Sequence, residues 1–240
     1  MENNFEDNVD TSEFVSVSRI GGGDLTQSPD FKPINVFDRY IIIDNFYQNP
    51  EMIRNFAISG EKEPESGGNY SGVMTNDAFI TQEHLDAIKI VVGQDVFPST
   101  QLTGKFRFTK EYDTWKQDIH FDPGDNNSCW AGVVYLTPNV DIDGTHFWKH
   151  KRTGLESIPL TLEGIQQFGW EGVDDLKVFL DTEGIDRSLW DRTLTIPYKY
   201  NRLVLFRPWL FHSPGNPFGN TLENCRLIQT FFFSTLDKPL

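Results

Sequence analysis

The sequence predicts a mainly β fold with flanking helices, a sandwich of the α+β class, and three observations point there. Aromatic residues make up 14% of the chain, with 20 Phe against 3 Met, and aromatic side chains favour strands over helical bundles. From about residue 102 onward, short apolar or alternating runs are separated by clusters of Gly, Pro, Asn and Asp, which are strand and turn signals. A length of 240 residues suits a single sizeable core, since all-β domains of this size commonly form one unit.

Taken in order, residues 1–35 are rich in Asn, Asp, Ser and Gly and carry too few apolar residues to build a core, so an N-terminal arm is expected. Its Gly21-Gly22-Gly23 run is followed by no Gly-Lys-Ser/Thr and opens no G-x-G-x-x-G, which leaves a connector rather than a phosphate loop. Residues 36–240 then form one domain, with helical support over 36–101 and a β barrel over 102–235. Tyr40–Ile43 reads as a short buried strand. Asn49 caps a helix that begins at Pro50 and runs to about Ser59, and Thr81 caps another over Gln82–Val92. Strands follow at Leu102–Tyr112, Trp115–Phe121, Trp130–Thr137 and Thr145–Lys149. Residues 150–192 interrupt them with helical patterns at Leu162–Phe168 and Val173–Leu180. Strands resume at Thr193–Tyr198, Arg202–Phe206 and Arg226–Ser234, so the interruption is an insertion within a sandwich, and its position suggests that it shapes a substrate entrance.

The composition excludes several partners. A net charge of −14 repels a phosphate backbone, and no Lys/Arg cluster offers a local exception, which argues against nucleic acid. No run approaches the roughly 20 apolar residues of a membrane span. The acidic start, Met1 to Asp7, lacks the apolar segment of a signal peptide. Cys129 and Cys225 match no zinc motif and no nucleophile–base pair; they read as buried small hydrophobes in a reducing, cytoplasmic setting.

The chemistry concentrates in an H-x-D motif. Within Trp115 to Asp122 the residues alternate as in a strand, so His120 and Asp122 share a side while Ile119 and Phe121 pack on the other. With 5 His in 240 residues, chance alone supplies roughly 0.4 such motifs. A second one, His84-Leu85-Asp86, falls in a helix, where i and i+2 diverge and cannot share a metal; His84 reads as a helix-surface residue. His212 closes the apolar run Trp209-Leu210-Phe211 just before a turn. Two histidines and one carboxylate on one face of an ion make the ligand set of non-haem iron(II) oxygenases. Asp118, on the same side as His120, reads either as a partner for a histidine N–H or as a solvent-exposed strand residue. His146 and His150 could share a side of a strand, although no third ligand lies near them. Trp148, Trp170, Trp190 and Trp209 fit a core better than a substrate groove.

Arg226 lies 14 residues after His212 and opens a strand too apolar to hold a charge without a partner. The order H-x-D, distal His, downstream Arg resembles the iron(II)- and 2-oxoglutarate-dependent oxygenases, closest in layout to their prolyl-hydroxylase-like branch and to uncharacterised bacterial and phage relatives. The likeness spans residues 102–235. It includes Val133-Val134-Tyr135-Leu136-Thr137-Pro138 and Asp143-Gly144-Thr145-His146-Phe147-Trp148, similar to the strand, loop and Gly-Thr strand that follow H-x-D there. The resemblance implies a double-stranded β-helix, or jelly-roll, core. It also implies iron(II) on His120, Asp122 and His212, 2-oxoglutarate held by Arg226 with Tyr135 nearby, dioxygen as co-substrate, and ascorbate as an optional reductant. Hydroxylation with release of succinate and CO2 would be the usual outcome. The turn Asn216–Asn220 lengthens the gap to the basic residue relative to prolyl hydroxylases, which keeps Arg207 as a rival anchor. The substrate, whether a small molecule or a protein side chain, and the oligomeric state stay open. Two other readings share the fold: a non-catalytic β-helix module that binds a metal or small ligand, and a cupin-like metalloenzyme that does not use 2-oxoglutarate.

Overall fold

The computed structural model describes residues 39–64, 72–114, 118–122 and 128–235. The arm 1–35, the first three residues of the strand expected at Trp115–Phe121, and its expected stop at Pro123 and Gly124 lie outside them. The fold is mainly β, with two sheets facing each other and helices on the outer face of the larger one.

In chain order the strands are β1 (Tyr40–Ile43), β2 (Lys62–Pro64), β3 (Val73–Thr75), β4 (Phe97–Pro98), β5 (Phe106–Thr109), β6 (Ser128–Tyr135), β7 (Asp143–His150), β8 (Trp190–Pro197), β9 (Leu203–Phe206), β10 (His212–Pro214) and β11 (Arg226–Ser234). The larger sheet runs β1-β9-β6-β11-β5-β3-β2, with β4 also on β11, and the smaller runs β10-β7-β8. All recorded pairings are antiparallel. β11 lies centrally between β6 and β5, and its two faces are covered by two different cores, Leu227, Phe231 and Phe233 in one and Ile228 in the other.

Alternation assigns the two faces of the larger sheet. Phe106 and Phe108 of β5, Trp130 and Val134 of β6, Leu203 and Leu205 of β9, and Leu227, Phe231 and Phe233 of β11 pack outward with the helices. Ala131, Tyr135, Val204, Phe206 and Ile228 point inward, against Phe147 and Ile196 of the smaller sheet. Period-2 geometry thus yields two cores from one set of strands.

The outer core is closed by α1 (Pro50–Ser59) and α2 (Gln82–Val92). Both begin and end where their caps dictate. The Asn49 side chain accepts from the Met52 N–H, and Gly93 closes α2 in the left-handed region, where glycine bears no steric penalty. Tyr40–Ile43 is a strand, as expected, but among the described residues it pairs only with β9 and is only partly buried, Tyr40 and Ile42 being 43% and 44% exposed. An apolar run alone does not reveal how much of a strand its neighbours cover.

An excursion does lie between β7 and β8, over residues 151–189 rather than 150–192 because Trp190–Arg192 already belong to β8, and it holds α3 (Leu162–Gln166), α4 (Val173–Glu183) and a 3-10 turn at Arg187–Leu189. Phe179 and Leu180 of α4 build a third core with Ile119, Phe121, Trp148, Trp190 and Phe211, and the Ile119 N–H donates to the Gly184 carbonyl at 2.9 Å. The excursion therefore braces the segment that carries His120 and Asp122. Trp148 and Trp190 are core residues, while Trp209 lies beside the Arg207 guanidinium. Among the described residues, no helix is long and apolar enough to cross a membrane.

Candidate metal centre

His120 reaches its place through an isolated bridge rather than the continuous strand its alternation suggested. Its N–H donates to the His212 carbonyl at 3.0 Å and its carbonyl accepts from the His212 N–H at 2.9 Å. This reciprocal pair sets the two imidazoles 4.3 Å apart, centroid to centroid. Ile119 and Phe121 are buried on the opposite side, as the alternation required, and the Asp122 N–H is anchored to the Pro208 carbonyl at 2.8 Å.

The three side chains sequence reading selected converge. One ligand atom from each of His120, Asp122 and His212 lies within 4.8 Å of the others, and among the described residues they form the only such metal-capable group. The His120 and His212 Nε2 atoms stand 3.8 Å and 3.3 Å from the two Asp122 oxygens. Ions that bind imidazole and carboxylate at about 2 Å need donors spaced on this scale.

The far side of each ring decides which nitrogen is available. His120 Nδ1 is 2.9 Å from the Asp118 carbonyl and His212 Nδ1 is 2.8 Å from the Leu210 carbonyl. A carbonyl can only accept, so both Nδ1 atoms carry protons, and in the neutral rings both Nε2 lone pairs face Asp122. Burial, reinforced by His212 and Arg107, lowers the His120 pKa to about 3, which keeps the ring neutral. Burial by itself would raise the Asp122 carboxyl; His212, His120 and Arg107 outweigh it and hold the group below its ordinary value. Neutral nitrogen and ionised oxygen are the forms that bind metal.

Asp118 does orient a histidine, through its backbone carbonyl rather than its carboxylate. The carboxylate is engaged by Arg187, whose Nη2 donates at 3.0 Å and whose Nε donates as well. His146 and His150 do not share a site. His146 faces Thr195 and Asp143, whereas His150 bonds Glu183 at 2.8 Å and Thr153 at 3.0 Å.

A cavity of about 180 Å³ opens beside the triad. Arg226, the first residue of β11, lines it, and so do Thr145 and the apolar Val133, Phe206, Ile228 and Phe232. Tyr135 is fully buried but stands behind this wall. Its hydroxyl meets the Thr145 hydroxyl at 2.6 Å, burial raises its pKa to about 12, and the Arg226 charge acts in the opposite direction. Gly144 permits the arrangement, since a Cβ there would lie 2.6 Å from the Tyr135 hydroxyl and 2.7 Å from the Ile196 carbonyl. Arg207 is directed elsewhere: its guanidinium stacks 3.7 Å from the Trp130 ring centroid and donates to the Cys129 carbonyl at 2.9 Å.

Sequence reading missed Arg107. It lines the cavity from β5, where Arg107 and Thr109 take the face opposite Phe106 and Phe108, and its charge is felt at both His120 and Asp122. The alternation Phe-Arg-Phe-Thr carried this signal. His84 was also misjudged: it is 2% exposed, because α2 turns its first coil onto the outer core. There it accepts from the Thr81 N–H through Nδ1 at 3.2 Å and meets the Tyr47 hydroxyl through Nε2 at 2.9 Å.

In sequence, a family described as being of unknown function, DUF6445, matches residues 32–225. The chain belongs to DUF6445. The DUF6445 span takes in Arg107, His120, Asp122 and His212 and ends one residue before Arg226. No curated protein matches the sequence. Solved structures with a similar outline include a Pseudomonas putida prolyl-4-hydroxylase, 13% identical, covering 82% of this chain and 93% of that one at a TM-score of 0.45. HygX from Streptomyces hygroscopicus, solved with nickel, 2-oxoglutarate and hygromycin B, is 13% identical over 81% of this chain and 82% of its own, with a TM-score of 0.44. A Trichoplax adhaerens prolyl hydroxylase in complex with a hypoxia inducible factor peptide fragment is 13% identical over 83% and 84%, at 0.40.

Proposed function

We propose that this DUF6445 protein is an iron(II)- and 2-oxoglutarate-dependent oxygenase whose metal is held by His120, Asp122 and His212. The observation that carries the reading is the commitment of both Nδ1 atoms to carbonyls, which leaves two imidazole Nε2 donors and one carboxylate directed at a common point beside a cavity. A structural zinc site would enclose its ion with four protein ligands; three ligands next to open space suit a metal that also binds substrates.

The chain's own residues then have distinct tasks. His120 and His212 present lone pairs while their Nδ1–H bonds fix the ring orientations, and Asp122 balances part of the metal's charge. Arg226 offers a planar fork for the far carboxylate of 2-oxoglutarate. Thr145, steadied by Tyr135, gives that carboxylate a further hydroxyl. Val133, Phe206, Ile228 and Phe232 keep the wall apolar, which strengthens each charged contact by excluding water. The chemistry supplied by iron(II) and 2-oxoglutarate, once bound, is hydroxylation of a substrate C–H bond by dioxygen with release of succinate and CO2.

Binding of manganese(II), which is redox-inert here, tests the centre. At a metal concentration about a hundredfold above Kd the folded state gains roughly 2.7 kcal/mol, which for a chain of this size raises Tm by about 5–10 °C. His212→Ala and Asp122→Ala should each abolish the rise. A rise in wild type that survives both substitutions would sink the assignment of the centre. With iron(II), oxygen and 2-oxoglutarate, succinate should form. A metal-binding module without oxygen chemistry would form none, and a metalloenzyme that ignores 2-oxoglutarate would show no affinity for it.

A further inference from the structure

The segment that carries His120 is gripped by the short stretch that joins α4 to β8, and the two meet at two points. The Ile119 N–H donates to the Gly184 carbonyl at 2.9 Å. The Asp118 carboxylate takes two bonds from the Arg187 guanidinium, one from Nη2 at 3.0 Å and one from Nε. The approach is close enough to need a glycine, since a Cβ on Gly184 would stand 2.5 Å from the Ile119 carbonyl oxygen. The gripping stretch is itself anchored. The Asp186 side chain caps the 3-10 turn by accepting from the Ser188 N–H at 2.9 Å, and the Leu189 carbonyl accepts from the Lys151 N–H at 2.9 Å.

The grip bears on the metal centre through one atom. His120 presents Nε2 to the centre because its Nδ1–H bonds the Asp118 carbonyl at 2.9 Å. A carbonyl points where its peptide is held, so whatever fixes residue 118 fixes the ring. Arg187 is 41% exposed and Asp118 14%, so the pair adds little to global stability. Two parallel bonds from a planar fork, however, allow the carboxylate one orientation. The same guanidinium lies 5.5 Å from the Trp148 ring centroid, within cation–π range, and the Trp148 indole N–H donates at 3.0 Å to the hydroxyl of Ser213, the residue after His212. Arg187 thus reaches a side chain linked to each of the two imidazole-bearing segments.

We propose that Arg187 is a positioning residue of the metal centre: by gripping the Asp118 carboxylate it holds the Asp118 carbonyl, and through it the His120 ring, at the angle the metal requires. This rests on the metal reading of His120, Asp122 and His212. It makes metal affinity depend on the excursion 151–189, which supplies none of the three ligands, and by linkage a bound metal steadies the Arg187–Asp118 pair.

Variants of the full chain separate positioning from general loosening, with melting curves to establish that each folds. Partners of metal-bound histidines are worth about 10–100-fold in metal affinity, and Arg187 acts one step further out. Arg187→Gln and Asp118→Asn, which keeps the carbonyl, should each weaken manganese(II) about tenfold in calorimetry, and the double variant no further. Arg187→Lys keeps the charge without the fork and should recover part of the loss. Arg152→Gln deletes an ion pair to Glu183 in the same excursion and should stay within about threefold of wild type. A second readout needs no metal. In 15N-histidine-labelled protein the His120 Nδ1–H should exchange with water several-fold faster in Arg187→Gln than in wild type, while the His212 Nδ1–H, held by the Leu210 carbonyl, keeps its rate. The proposal is overturned if Arg187→Gln binds manganese(II) as wild type does, if Arg152→Gln weakens it equally, or if the His120 exchange rate is unchanged. Should wild type bind no manganese(II), the metal reading fails separately, and the exchange rates alone then decide whether Arg187 orients His120.

Discussion

Lowering the pH should destabilise this protein through a histidine that takes no part in the metal centre. His84 accepts from the Thr81 N–H at Nδ1, so its proton resides on Nε2 and is donated to the Tyr47 oxygen; the Tyr47 hydroxyl in turn donates to Gln229, and the Gln229 amide donates to the Phe79 carbonyl at 2.7 Å. A second proton would go on Nδ1, which faces the Thr81 N–H at 3.2 Å and the Thr81 hydroxyl at 2.9 Å. Burial lowers the His84 pKa from 6.5 to about 3. Because the folded value is below the unfolded one, this contribution is complete above pH 6.5, declines as pH falls through 6.5, and levels off only near 3. At pH 4.5 the unfolded chain is protonated here and the folded protein is not. The gap of about two pK units is worth about 2–3 kcal/mol. His84→Gln removes the titration while retaining a residue suited to the third position of a helix whose cap is Thr81. Urea unfolding, followed by tryptophan fluorescence at pH 7.5 and pH 4.5, should show the variant losing about 2–3 kcal/mol less than wild type between the two conditions. Other groups, including His120, titrate in both proteins and cancel in the comparison. Equal losses in the two proteins would refute the reasoning.

Two further outcomes follow from side-chain environments. Arg207→Leu removes the stack on Trp130 and the bond to the Cys129 carbonyl, so it should lower stability by about 1–3 kcal/mol and leave 2-oxoglutarate affinity unchanged in calorimetry; a large loss of affinity would restore Arg207 as the anchor. Burial raises the Cys225 thiol to about 11, so iodoacetamide at pH 8 should label folded protein once, at the partly exposed Cys129, and a second adduct in the mass spectrum before unfolding would contradict that burial.

Local rules located much of the fold. Asn49-Pro50 and Thr81 marked the starts of α1 and α2, Gly60 and Gly93 fall just beyond their ends, and β11 occupies Arg226–Ser234 as its apolar run required. Those signals depend on residues three or four apart and need no knowledge of the rest of the chain. The trio His120, Asp122 and His212 was legible for a similar reason: H-x-D in an extended segment puts two donors on one side, and a late histidine before a turn supplies the third.

What the sequence could not specify is which neighbour each side chain meets. Tyr40–Ile43 was readable as a strand, but the exposure of Tyr40 and Ile42 depends on how it sits against β9, its partner among the described residues. His84 was readable as helical, but its burial depends on where α2 docks. Asp118 stands next to the correct histidine, yet its carbonyl rather than its carboxylate meets the ring, because Arg187, from the far end of the excursion, engages the carboxylate. Arg107 sat in plain alternation, and only the β5–β11 register reveals that its face is the one shared with Arg226 and the triad. Sequence spacing sets periodicity and local caps; contacts between residues remote along the chain arise from packing, and there the second arginine of the cavity was found.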